Sequence, residues 1–234
     1  MHADRPESEV DAVVQRYARR VQNDLYSILR PEVLYAFQER QRAILELLAR
    51  HAPEQLNRMR VLEIGCGTGA NLLELLRLGF EPSNLVGNEL LPERATQARH
   101  NLPAATDIYP GDASRLPFEP ASFDVVYQST VFTSLLDDAF QQALAARMWE
   151  WLRPGGGILW YDFMFDNPRN PDVRGVPLSR IRALFPHGTI DSRRVTLAPP
   201  ISRAVVKFHP AACRWLSALP FLRSHVLCWI RKSP

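Results

Sequence analysis

The stretch Val61-Leu-Glu-Ile-Gly-Cys-Gly-Thr-Gly69 constrains this chain of 234 residues more than any other. Four residues of strand character run into an acidic, glycine-rich turn, and Ala70-Asn-Leu-Leu-Glu-Leu-Leu76 then reads as a helix. Such a turn allows positive φ and lets a ligand lie against the main chain where a Cβ would collide. The spacing is G-x-G-x-G followed by Ala70, so the dinucleotide form G-x-G-x-x-G is met only if Ala70 stands for the third glycine. Glu63, two residues before the first glycine, has no task in a dinucleotide site. A cationic ammonium ligand would give it one.

Strand and helix patterns alternate from Arg60 to Asp162, with strands near 61–64, 84–89, 106–109, 123–128 and 157–162. Helices near 70–78, 92–100 and 137–152 occupy the gaps, with Pro92 suited to a first helical position, Gly79 to a stop and Asp137-Asp138 to a cap. This rhythm predicts a mainly parallel sheet with helices on both faces. Upstream, apolar residues at 10, 13, 14, 17, 18 and 21 make an amphipathic helix. Pro31 then interrupts, Val33 to Arg50 gives a longer helix, and Pro53 ends it. Beyond Asp162 the texture changes. Residues 163–177 hold three prolines and read as loop, 178–185 as a short helix, and 189–197 and 224–231 as the last strands.

Composition excludes several classes. A hydrophobic content of 46% with 23% charged residues is that of an ordinary soluble globular chain. The net charge is only +3, and mixed charges without a basic block argue against nucleic-acid binding. Cys66, Cys213 and Cys228 form neither a C-x-x-C pair nor a metal-ligand spacing, so no metal is expected and a reducing cytoplasm fits. The polar residues 1–10 carry no apolar signal core. Pro220, Arg223 and His225 interrupt the longest apolar run, so no stable membrane insertion is expected.

The glycine turn and four later segments together resemble the class I S-adenosylmethionine (SAM)-dependent methyltransferases, in the small-molecule branch. Leu85-Val-Gly-Asn-Glu-Leu90 is a second strand ending in Glu89, twenty residues after Gly69, where a carboxylate can accept both ribose hydroxyls. Pro110-Gly-Asp-Ala-Ser-Arg-Leu-Pro-Phe118 looks like the adenine segment, Phe123-Asp-Val-Val-Tyr-Gln128 the fourth strand, and Leu152-Arg-Pro-Gly-Gly-Gly-Ile-Leu-Trp160 the turn into the fifth. The resemblance implies a doubly wound seven-stranded sheet, mainly parallel, with an antiparallel C-terminal hairpin in a three-layer αβα sandwich. It implies N-terminal helices over 1–52 as a lid, and a core over 53–234 with substrate-cap insertions at about 163–187 and 198–222. SAM would be held by Glu63, Gly65, Cys66, Gly67, Thr68, Gly69, Glu89, Leu90, Asp112, Ala113 and Gln128, with Tyr17 closing from the first helix and S-adenosylhomocysteine as product. Cys66 would contribute its backbone rather than its thiol.

The acceptor is less legible. Methyl transfer from a sulfonium needs alignment and dry surroundings more than a fixed catalytic group. Gln128-Ser-Thr-Val-Phe132 lacks the Asn/Asp-Pro-Pro-aromatic turn of nucleic-acid amino methylation, and no cysteine lies there for pyrimidine carbon chemistry. A small-molecule acceptor remains; residues 161–175 and 196–200 resemble bacterial methyltransferases of polysaccharide or secondary-metabolite pathways, which implies a hydroxyl of a sugar or metabolite over nitrogen or carbon. Asp162, in Trp160-Tyr-Asp-Phe163, could orient or deprotonate that hydroxyl or could cap its strand; His187 and His209 are further base candidates. Arg169, Arg174, Arg180 and Arg182 could bind an anionic acceptor or form a solvated face. Arg40 is a second residue that could close over SAM. A nicotinamide oxidoreductase and a non-catalytic SAM-binding subunit stay open as other classes, and a monomer or homodimer fits either.

Overall fold

The computed structural model describes residues 8–19, 24–52, 55–168 and 170–234. The expectations attached to residues 1–7, Arg20, Val21, Pro53 and Arg169 lie outside the described residues. Seven strands form one sheet: β1 (Val61–Ile64), β2 (Leu85–Glu89), β3 (Asp107–Pro110), β4 (Phe123–Ser129), β5 (Leu152–Phe163), β6 (Thr189–Leu197) and β7 (Arg223–Arg231). Their order is β3-β2-β1-β4-β5-β7-β6. All neighbours from β3 to β5 run parallel, and β7 runs antiparallel to both β5 and β6. The order reverses between β1 and β4, and in such sheets the crevice beyond the carboxyl ends at that switch point takes the ligand.

Local chemistry explains the boundaries. α3 (Ala70–Arg77) starts at Gly69, which holds φ +88°, and chain reversal follows at Gly79 with φ +100°. α4 (Pro92–Asn101) has its proline at the first helical position, and Asp137 caps α5 (Asp138–Trp151) by accepting from the Phe140 N–H at 2.7 Å. α1 (Glu9–Ala18) is capped by Ser8. Pro31 does not interrupt α2 (Pro31–His51) but opens it, because a first-turn proline gives up an N–H that has no helical partner anyway. β5 likewise begins earlier than its sequence pattern, at Leu152, with a register irregularity before Val125 pairs Gly157.

Strand alternation divides the core. Val61, Val125, Leu159, Leu227 and Trp229 pack under α2, α3 and α4, whereas Leu62, Val126, Ile158, Trp160 and Ile230 pack under α5 and α6 (Leu178–Leu184). The two N-terminal helices part company here. α2 buries Ile44, Leu47 and Leu48, roughly 1.5–3 kcal/mol for each such side chain, and so packs firmly on the core. α1 buries only Ala12, Val13 and Arg16, so α1 is the element with little to lose on moving.

Candidate functional site

The carboxyl ends of β1 and β2 and the loops after β3 and β4 enclose a cleft of about 130 Å³. Its floor is Ile64 and Gly65; Asn88, Glu89 and Leu90 form one wall, Gly111 to Ala113 another, and Ser129 to Val131 a third. α1 covers it with Val10, Val13 and Tyr17, while Leu135, Phe140 and Leu144 make one end apolar. Two links hold α1 there. Arg16 donates to the Ser134 carbonyl at 3.0 Å, and Glu9 accepts from the Leu136 N–H at 2.6 Å. Thr130 sits at φ +57°, a left-handed conformation unusual for a branched residue, and its N–H is fixed to the Tyr161 carbonyl at 2.8 Å.

Two carboxylates flank the glycine turn. Glu89 accepts from the Gly67 N–H at 2.8 Å and the Leu91 N–H at 2.9 Å. A carboxylate has about four lone-pair positions, so both oxygens keep capacity toward the cleft. Glu63 is completely buried; its Oε1 accepts from Asn71 at 2.7 Å, and its Oε2 has no partner. Burial pushes its pKa up to about 7, against the pull of Asn71 and Arg40. A Cβ on Gly65 would come within 2.6 Å of Val131 Cγ2, and one on Gly67 equally close to the Arg94 guanidinium. An orphaned buried carboxylate oxygen beside a cradle that only glycine leaves open fits a ligand carrying an ammonium group.

The comparisons with known proteins agree with this geometry. Residues 61–156 match the family model described as a methyltransferase domain. The match covers less than half of the chain and is a likeness to methyltransferase domains. The chain is 37% identical over 132 residues to the Mycobacterium ulcerans phthiotriol/phenolphthiotriol dimycocerosates methyltransferase 1, covering 54% of this chain and 47% of that one. It is 35% identical over 127 residues to the Deinococcus radiodurans demethylmenaquinone methyltransferase, covering 53% and 48%. It thus spans about half the length of the curated relatives it matches. A solved structure of a putative sarcosine dimethylglycine methyltransferase from Galdieria sulphuraria aligns over 96% of this chain and 98% of its own, with a TM-score of 0.63. At 15% identity that is a likeness of fold.

Of the predicted residues, Gly65, Glu89, Leu90, Asp112 and Ala113 line the cleft, and Tyr17 joins them from α1, whereas Glu63 lies buried beside Asn71 and lines no wall of it. Gly67 adjoins it through Glu89, and Gly69 starts α3. Cys66 stays out. Its thiol packs against Gly87, where a Cβ would come within 2.8 Å, and burial pushes its pKa far up, so the residue contributes its backbone, whose N–H donates to the Asn88 carbonyl and whose carbonyl accepts from the Gly69 N–H. The Thr68 carbonyl accepts from Asn101 at 3.0 Å. Gln128 is buried; its Oε1 accepts from the Val131 N–H at 3.1 Å and shapes the third wall from behind.

Several candidates are not brought to the cleft. Asp162 points to the α5 side of the sheet and is completely buried, accepting from the Thr133 N–H at 3.2 Å and the Phe163 N–H at 2.9 Å. Burial pushes its pKa up to about 7. That geometry anchors a loop. Arg40 does not close over the cleft but lies under α2, donating to Asn71 at 3.1 Å and standing 5.0 Å over the Tyr161 ring. Arg174 and Arg180 both pair with Asp138 and tie the 163–177 loop and α6, respectively, to α5. His187 and His209 line no wall of the cleft. In the other direction, Arg94 is a wall residue that sequence reasoning missed, its guanidinium over Gly67 and 5.5 Å from the Tyr17 ring. An arginine two residues into an amphipathic helix has no sequence mark that separates it from a solvated one. Val10, Val13 and Tyr17 did carry a signal, since their helical spacing puts them on one face.

Proposed function

We propose that the chain transfers a methyl group from SAM to a small-molecule acceptor. The observation that carries this reading is Glu89, at the end of β2 with spare acceptor capacity in the cleft wall, beside a glycine turn behind which Glu63 holds a free buried oxygen on the α2 side. Glu63 would take the ammonium of the methionine part and Glu89 the ribose hydroxyls. Leu90, Ala113, Phe140 and Leu144 would form an apolar slot for the adenine, with Asp112 at its polar edge. Arg94, next to Gly67, would meet the carboxylate end. SAM supplies an activated methyl carbon; the chain's residues bind it, orient it and keep water away through α1. Tyr17 and Arg94 make that cover a contact between α1 and α4.

A calorimetric titration tests it. One-site binding of SAM with none of NAD is expected, and NAD binding without SAM would return the cleft to the oxidoreductase class. For the acceptor we propose a hydroxyl-bearing metabolite. The relatives named for dimycocerosates and demethylmenaquinone favour one with a large apolar body over a free sugar. Incubation with SAM and two acceptor panels, hydroxylated apolar compounds and free sugars, followed by mass analysis, separates the two. Methylated sugars alone would overturn the apolar choice and leave the SAM assignment standing.

A further inference from the structure

Large hydrophobic side chains in water are not scattered evenly over this molecule. Among the described residues, two short segments, 26–34 and 208–221, hold eight of the twelve exposed ones. Leu29 and Phe208 are each 89% exposed, Trp215 77%, Tyr26 73% and Phe221 70%. Exposed leucines and aromatics so concentrated are more than the single scattered residues of an ordinary surface. The segments adjoin. Arg203 stands 5.9 Å from the Tyr26 ring, and α8 (Ala211–Ser217) packs on α2, where Ser217 donates to Glu39 at 2.6 Å.

Charge follows the same pattern. No Asp or Glu follows Asp191 in the sequence, while Arg203, Lys207, Arg214 and Arg223 punctuate the apolar segment. The mixing of charges along the rest of the chain stops there. On α2 the nearby carboxylates are turned inward: Glu32 is buried beside Arg30, and Glu39 accepts from Ser217 and from the Thr196 N–H. Asp24 is the exposed acid of the first segment. Aromatic and aliphatic tips interleaved with cations are the composition that suits a lipid headgroup layer, where rings enter the acyl boundary and cations meet phosphates. A second copy of the same chain fits less well, because a two-fold contact would set this cationic patch against itself.

Topology gives the surface a position. β5 ends at Phe163 opposite His225, and β6 ends at Leu197 opposite Arg223. The segment between β6 and β7, which carries α7 (Pro199–Val205) and α8, therefore hangs from the same edge of the sheet as the cleft. We propose that residues 26–34 and 203–221 form one amphipathic surface that docks on an anionic lipid bilayer, with the carboxyl edge of the sheet against the membrane. No helix among the described residues is long and apolar enough to cross a bilayer, so this contact is interfacial.

Sedimentation with vesicles of phosphatidylcholine alone, or with one quarter phosphatidylglycerol, tests the proposal independently of what the cleft binds. The wild-type chain should partition onto the anionic vesicles. That partition should fall at least tenfold in 0.5 M salt, since each cation near such a surface is worth about fivefold at low ionic strength. The double variant Trp215→Ser/Phe221→Ser should lose at least tenfold, and so should Lys207→Glu/Arg214→Glu. Both pairs replace largely exposed side chains, and unchanged thermal midpoints would show that they fold. Absence of wild-type partition, or variants that bind like wild type, would overturn the proposal. So would a concentration-dependent dimer that Trp215→Ser dissociates in a chain that ignores vesicles; that result would assign the patch to a second copy.

Discussion

The carboxyl edge of the sheet carries two polar clusters, one on each side of the glycine turn, and they are built on opposite terms. Toward the cleft, Glu89 and Asp112 spend their oxygens on nearby N–H and hydroxyl groups: Glu89 on Gly67 and Leu91, Asp112 on Ser114. Under α2, Glu63, Arg40, Tyr127, Tyr161 and His225 are enclosed without enough partners. Glu63 Oε2 and the Tyr127 hydroxyl, close to Ser129, have no well-formed hydrogen bond. Burial drives the Tyr127 pKa up to about 12 and that of His225, stacked 4.9 Å from Tyr161, down to about 3. A carboxylate already fixed by main-chain amides can serve a ligand with its remaining lone pairs at no cost in ordering. One left half-satisfied in the interior costs stability until something pairs with it. The first cluster is already ordered for the ligand proposed for it, and the second is a reserve that a bound cation would relieve.

The largest effect that separates them should come from Gly67→Val. Position 67 holds φ +61°, and its Cβ would meet the Arg94 guanidinium in the space assigned to the ligand. SAM binding should disappear from a calorimetric trace while the sheet remains folded; an unchanged affinity would remove the glycine turn from the site. Next in size is the lid. Deleting residues 1–22 removes α1 with its small apolar footprint and its anchors to Ser134 and Leu136, but leaves α2 in the core. Turnover should drop about a hundredfold, the scale of loss from misaligned reactants, with a near-normal unfolding midpoint. Full turnover in the truncated chain would rule out the lid.

A smaller change is expected from Glu89→Ala. It removes the carboxylate proposed to hold the ribose hydroxyls; charge-assisted bonds of that kind are worth about 1.5–3 kcal/mol each, so SAM affinity should weaken at least tenfold. The Gly67 and Leu91 amides also lose their acceptor, and the thermal midpoint should fall modestly with it. A wild-type titration curve from a folded variant would break the contrast between the two clusters, because the ordered one would then be idle.

How far the sequence revealed these clusters depended on what makes each one. The glycine turn and the strand-end acids are local: Val61 to Gly69 and Leu85 to Glu89 carry their geometry in consecutive residues, and the βαβ rhythm makes their strands parallel. The last two strands were also legible, since 189–197 and 224–231 are β-rich runs between breakers. What joins residues far apart was not. Nothing in Arg40 says that it inserts beneath the sheet edge beside Asn71, nor in Arg94 that it turns over Gly67, because both positions depend on how α2 and α4 pack. Pro31 misled for a different reason: a proline breaks a helix interior but suits its first turn, and only the preceding chain decides which. Asp162 misled by depth. It shares the α5 side of the sheet with the cleft, but it is buried and its oxygens are taken by the Thr133 and Phe163 amides, a contact that joins residues far apart.

Asp162 supplies the smallest and most discriminating test. Its pKa stands near 7 in the folded chain, above the ordinary carboxylate range near 4, because burial disfavours the charge. Below about pH 4 the carboxyl is protonated in both folded and unfolded chains and costs nothing. Between about 4 and 7 only the unfolded chain ionises, so stability falls as pH rises, by up to ~1.4 kcal/mol per pH unit for this group. Above about 7 the penalty is constant. Asp162→Asn abolishes that slope, but its single amide oxygen cannot serve both the Thr133 and Phe163 N–H groups, which costs about 1 kcal/mol. The variant should therefore be slightly less stable than wild type at pH 4 and more stable at pH 8, with the two urea-unfolding curves crossing between. Parallel curves would mean that Asp162 titrates as an ordinary carboxylate. Because the side chain is fully buried against the Thr133 and Phe163 amides and lines no wall of the cleft, the pH–rate profile of the variant should match wild type; a shifted profile would bring Asp162 back into the chemistry and make the acceptor's hydroxyl proton its cargo.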